Sequence, residues 1–307
     1  MNIQELRQLQ AEKSALENLL AKLPESSVIE RMSLESKKRE VDDVLASQPT
    51  PSRQPIKTRL TFRGKPIVGS HGMFAEFAGA VVDAFANAVA AIGSSQSVQL
   101  GARGMIPNRD SYRLLITGTA PGSFGFELEE APENGNLFPD SSLVESAIEQ
   151  TKAIMQASTG TDDELADAIS EADPRAIEAL RKFLKTMADQ EAICALEFKD
   201  EVFRFTDVGQ IHRSESRLSR DYIHEEDQNL VGQFLGVLPK HRTFEFQILE
   251  SDQVISGKVG PELEDASAIN HLLDRSLKIR VHAKRVGAGH QRFTLLAYEL
   301  PTEQEAN

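Results

Sequence analysis

The stretch Gly118-Thr119-Ala120-Pro121-Gly122-Ser123-Phe124-Gly125 comes nearest in this chain to a phosphate-binding loop. Such a loop works because amides at a helix N-terminus, together with a lysine, surround the phosphates. Here no Lys precedes Ser123, and an alternating strand pattern follows it, so the stretch reads as a type II turn with Pro121 and Gly122 at its centre. The same context removes Ser123 as a nucleophile, because a nucleophile elbow requires strand, serine and then helix. The seven histidines (His71, His212, His224, His241, His271, His282, His290) supply no two-histidine zinc-helix pair: His224 leads into Glu225-Glu226-Asp227-Gln228-Asn229. That acidic run, with Asp221, has the oxygens to hold a cation, but it lacks a calcium loop's glycine turn and reads as a solvated loop. His212, Glu215 and Asp221 carry acid–base groups with no spacing that assembles them. A lone Cys194 excludes an intrachain disulfide and a cysteine-built zinc site. The sequence therefore nominates no catalytic residue, metal or cofactor.

What remains is binding chemistry. The net charge of −13 opposes general polyanion binding, yet charge is unevenly placed. Pro49–Ala75 holds five basic residues and no acid; Arg275–Arg292 holds six and no acid; Glu127–Glu191 holds sixteen acids against five bases. Two readings follow: the basic strands pair with acidic helices of the same molecule, or they present a polyanion site. On the second reading the cations are Lys57, Arg59 and Arg63 on one strand and Lys278, Arg280 and Lys284 on another, the latter three sharing an outward parity opposite Leu277, Ile279 and Val281. Phe234, Phe244, Phe246, Phe293 and Tyr298 are the stacking candidates, but Phe244 and Phe246 share parity with Ile248, which places them inside a barrel.

Those residues must be positioned by elements with their own signatures. Val231–Leu238, Thr243–Leu249, Val254–Val259, Leu277–Arg285 and Arg292–Leu300 read as strands, with a helical spacing over Pro261–Leu273 between the third and fourth. Strand-strand-strand-helix-strand-strand is the order of an OB-type barrel, a fold that binds single-stranded nucleic acid, sugars or proteins. At the other end, residues 2–22 and 28–46 read as two helices, with Leu9, Leu16 and Leu23 at heptad spacing and Leu19 in the same stripe. Two such helices leave apolar seam uncovered, so self-association is expected through Leu9, Leu16, Leu19 and Leu23, or else packing on the chain's own globular part. Residues 49–55, with three prolines, read as a linker.

Between linker and barrel the pattern is α+β. Ile56–Arg63 alternates as a strand, and Phe74–Ile92 is an Ala-rich helix that Ser70 is expected to cap. Tyr112–Gly118 and Ser123–Glu129 form a hairpin. Three helices then start at Ser142/Glu145, Thr161/Glu164 and Asp173-Pro174, before a second hairpin (Ala195–Phe198, Val202–Phe205) and a polar stretch, Gln210–Asp227. The expected organisation is an α+β multidomain chain: helical hairpin 1–48, linker 49–55, central domain 56–220 and OB-like barrel 228–300.

No apolar run resembles a membrane span, since Phe74–Ile92 contains Glu76, Asp83 and Asn87, and no secretion signal opens the chain. A cytoplasmic location without membrane partners is expected. The preferred function is a non-enzymatic, homo-oligomeric interaction protein that binds a partner protein. The alternatives are nucleic-acid binding through the barrel and, third, an enzyme of unrecognised class. Accessory proteins of bacterial operons, phage-defence ones among them, take such modular forms, which is analogy at the level of class.

Overall fold

The computed structural model describes residues 3–24, 27–46, 55–120, 124–131, 142–273 and 275–299. The expected turn at 121–123, Ser123 included, and the linker up to residue 54 lie outside the described residues.

Helices α1 (Ile3–Lys22) and α2 (Val28–Ala46) pack on each other. Lys13–Asp42 (2.6 Å), Glu12–Lys37 (3.2 Å) and Glu17–Lys38 (3.1 Å) set the antiparallel register. Leu16 and Val41 are buried in the seam; Leu9, Leu20, Leu23, Leu34 and Leu45 are half-buried beside them. The leucine heptad is therefore largely taken up within the hairpin, and among its described residues the exposed large apolar side chains are Leu19, Ile29, Met32 and Val44.

The central region begins with β1 (Lys57–Gly64), whose residues Thr58, Leu60 and Phe62 are buried while Lys57, Arg59 and Arg63 are exposed. A tight hairpin, β2 (Ile67–Val68) and β3 (Gly72–Met73), leads into α3 (Ala75–Ser95). The N-cap of α3 is Phe74, not Ser70, and no side chain caps it. By length and composition α3 would suffice to cross a membrane. Here it is a core helix, with Phe77, Val81, Phe85, Val89 and Ile92 buried and its faces packed on later helices.

Strands β4 (Leu114–Thr119) and β5 (Phe124–Glu130) follow, then α4 (Leu143–Ala157), α5 (Asp162–Ala168), α6 (Pro174–Asp189), β6 (Ala192–Phe198), β7 (Glu201–Arg204) and α7 (Val208–Arg217). The sheet runs β4-β5-β1-β6-β7, antiparallel throughout. Its buried face (Leu60, Phe62, Leu128, Cys194, Leu196, Phe198) belongs to one core with Phe77, Phe85, Phe183 and Leu184 from α3 and α6. The three expected caps are in place: Ser142 Oγ accepts from Glu145 N (3.0 Å), Thr161 and Glu164 form a reciprocal capping box, and Asp173 accepts from Arg175 N ahead of Pro174. Part of the expected polar stretch is α7, capped by Asp207.

The last third consists of β8 (Ile223–Leu238), β9 (Thr243–Ile248), β10 (Val254–Val259), a 3-10 segment Ala266–Leu272, β11 (Leu277–Val286) and β12 (Arg292–Glu299). The ladders run β10-β12-β11-β8-β9 and close on themselves, with β10 and β12 parallel and the other pairs antiparallel. Their second, separate core comprises Phe234, Phe244, Phe246, Ile255, Ile279, Val281 and Leu295, covered by Ala266 and Ile269. Strand β8 switches partners at Gly232, which faces Leu277 of β11 and Ile248 of β9. A Cβ there would overlap the Gln247 carbonyl, so only glycine permits this approach. The expected acidic loop His224–Asp227 is instead the outer half of β8, paired with β11. Ile223 and Val286, at the tip of that ribbon, pack with the core of the central region.

Candidate functional site

Strand alternation gives the barrel a solvent face, and two grooves open on it. The larger, about 560 Å³, lies over β8, β9, β10 and the 3-10 segment, lined by Gly236, Leu238, Thr243, Glu245, Ser256 and Lys258. Glu245 stands opposite Gly236 on β8 and Ser256 on β10, so its exposed carboxylate rises from a floor of small residues. Leu238 is 61% exposed at the groove's end. Lys258 pairs with Glu171 of the central region (2.7 Å). Among the described residues that line this groove, the charge without an ion pair is therefore the Glu245 carboxylate. Asn270 closes one side by exchanging two hydrogen bonds with the Val237 backbone (3.1 and 3.0 Å), as a neighbouring strand would.

The smaller groove, about 310 Å³, lies over β8, β11 and β12, and includes Asn229, Lys278, Arg280, Ala297 and Glu299. Here β11 presents Lys284, His282, Arg280 and Lys278 on one face, in register with Glu225, Asp227, Asn229 and Val231 of β8. Lys284 meets Glu225 at 2.9 Å and His282 Nδ1 meets Asp227 at 2.8 Å.

The expectation that Lys284 faces solvent is overturned. It is 3% exposed, and its ammonium donates to the carbonyls of Ile169 (3.1 Å) and Ala172 (2.9 Å) as well as pairing with Glu225. Strand parity does place Lys284 on the barrel's outer face, but that end of the face is covered by the segment between α5 and α6. Arg280 is exposed and Lys278 half-buried at the smaller groove. On β1, Lys57 pairs with Glu129 (3.0 Å), and Arg59 with Glu127 (2.9 Å) and Glu197 (3.5 Å); Arg63 lies on the same open face. Lys57 and Arg59 thus meet carboxylates from neighbouring strands of their own sheet, while Lys278, Arg280 and Lys284 lie on the separate ladder of β8, β11 and β12.

The aromatic candidates Phe234, Phe244 and Phe246 are interior, with ring centroids 5.0–6.0 Å apart and near-perpendicular planes. Phe293 and Tyr298 pack half-buried against the same core. The guanidinium of Arg242 donates to the carbonyls of Gly260 (2.7 Å) and Leu263 (2.8 Å), bracing the link from β10 to the 3-10 segment. Burial holds the Cys194 thiol far above its ordinary pKa, which keeps it protonated and unreactive. Glu215 pairs with Arg181 (2.8 Å).

A third arrangement was not legible in the sequence: a latch between α5 and the β11–β12 turn. Asp162 accepts from Ala288 N (3.1 Å), Arg217 (2.8 Å) and the Tyr222 hydroxyl (3.2 Å). Asp163 accepts from His290 N (2.8 Å) and faces the imidazole (3.0 Å), and Arg292 reaches Asp167 (2.5 Å). Burial pushes the Asp162 pKa up, but the Ala288, Arg217 and Tyr222 bonds outweigh it and leave it below the ordinary 3.8. The backbone and ring bonds from His290 lower that of Asp163. Gly287, at φ +50°, permits the close approach, because a Cβ would stand 2.5 Å from the Asp162 carboxylate. The run of acids at 162–164 was the available signal, with the glycines at 287 and 289 as its counterpart.

No family model, curated protein or solved structure matches this chain.

Proposed function

We propose that this protein is a non-enzymatic assembly factor, self-associating through its N-terminal hairpin and holding a partner polypeptide in the larger barrel groove. The ring order of the strands, with β10 and β12 parallel and a helical segment before β11, supports an OB-type reading of the last third. Two separate cores support treating it as a domain distinct from the central one.

The observation that carries the partner class is the charge of the larger groove. Its lysine is engaged by Glu171, while Glu245 and Leu238 stand exposed. A phosphodiester chain would meet a carboxylate there; an extended peptide with apolar and basic side chains would meet complementary ones. The apolar remainder Leu19, Ile29, Met32 and Val44 supports a second copy of the hairpin as its cover.

Capture from native cells tests the reading, comparing wild type with the Leu238→Asp, Glu245→Arg double variant, each with and without nuclease. A protein retained through nuclease by wild type and lost from the folded variant is the expected result. Retention that disappears with nuclease would place nucleic acid in the barrel instead.

A further inference from the structure

The smaller groove carries a separate inference, independent of the larger one. Along the outer face of the β8–β11 ribbon, basic side chains on β11 meet carboxylates on β8 in strict register: the Lys284 ammonium with Glu225, then the His282 imidazole with Asp227. The next position breaks the pattern. Arg280 faces Asn229 on β8 and Ala297 on β12, an amide and a methyl group, and its side chain forms no hydrogen bond or ion pair among the described residues. Cross-strand neighbours stand about 5 Å apart at their Cβ atoms, so Arg280 and Asn229 line the groove together next to the small Ala297. Lys278, two residues along the same face and opposite Glu299 of β12, also lines the groove.

We infer that Arg280 anchors a slot for a single oxyanion, a carboxylate or phosphate group, seated where the ladder omits its third carboxylate. A guanidinium offers paired donors to such a group, and the Asn229 amide adds another. The slot takes one anion rather than a chain of them, because Asp227 stands up-strand and Glu299 lines the groove at the other side. Successive phosphates of a nucleic acid would run onto those carboxylates.

The experiment follows backbone amide resonances of β11 by NMR at low ionic strength, using three probes: inorganic phosphate, a blocked Gly-Glu-Gly peptide and an oligo-dT. The proteins are wild type, Arg280→Gln and Asn229→Asp. The second variant supplies the missing carboxylate, so it fills the slot from within and should remain folded. Saturable shifts around Arg280 with phosphate are expected, weakened roughly tenfold or more in both variants, as loss of a charge-assisted pair requires. Shifts with the peptide as well identify a side-chain carboxylate as a sufficient source; shifts with phosphate alone identify a free anion. Equal shifts in all three proteins, or none in wild type with either small probe, would overturn the slot. Oligo-dT binding with a salt dependence of several phosphates would also overturn it, in favour of a track.

Discussion

Lys284 is the residue on which the relation between barrel and central region turns. A buried ammonium is tolerated because Glu225 and two backbone carbonyls surround it. Lys284→Ala leaves those three acceptors facing one another without a donor. It should lower stability by about 3 kcal/mol, read as a shift in the denaturation midpoint, whereas Arg280→Ala on the same face should be near neutral. Equal effects of the two would contradict the burial of Lys284. Alternation in the sequence identified the face shared by residues 278, 280 and 284. It carries no information on what a distant segment lays over that face, which is why Lys284 and Arg280 were indistinguishable before the fold was known. Phe244 and Phe246 were legible as interior because parity with Ile248 is a local property of one strand.

At the scale of elements, the helix starts show which signals are local. Ser142, Thr161 and Asp173 each cap their helix as spacing alone required. The same signal, Asp207 followed by Gln210, starts α7 and was available. Ser70 misled because a two-stranded turn, too short to leave a periodicity, intervenes and hands the N-cap to Phe74. The outer half of β8 was hidden for a different reason: both faces of that ribbon carry charge, so the alternation that marks a half-buried strand is absent. Thr161→Ala removes one half of the box that orders α5, whose first turn carries the latch acids. A loss of about 1 kcal/mol is expected, together with reduced amide protection at Ala288 and His290. Reduced stability with the turn's protection intact would separate the helix from the latch.

For the whole molecule, the latch makes the contact between barrel and central region dependent on pH. Asp162 and Asp163 have folded-state pKa values below the ordinary 3.8, so their contribution is complete above that value and is lost as pH falls through the lower folded values. Hydrogen-exchange protection of Ala288 and His290 should hold from neutral pH to about 4 and fall below it, ahead of the core strand β1. Loss already at pH 6 would contradict the assignment of this pH dependence to the two carboxylates. The larger groove is where the proposed polypeptide partner sits. A photo-crosslinking amino acid at Ser256, in the groove, compared with one at Arg204, on the open face of the central sheet, tests it in intact cells. A discrete protein adduct from position 256 is expected, abolished by Glu245→Arg and absent from position 204. Adducts to nucleic acid at position 256, or the same protein captured equally from both positions, would contradict it.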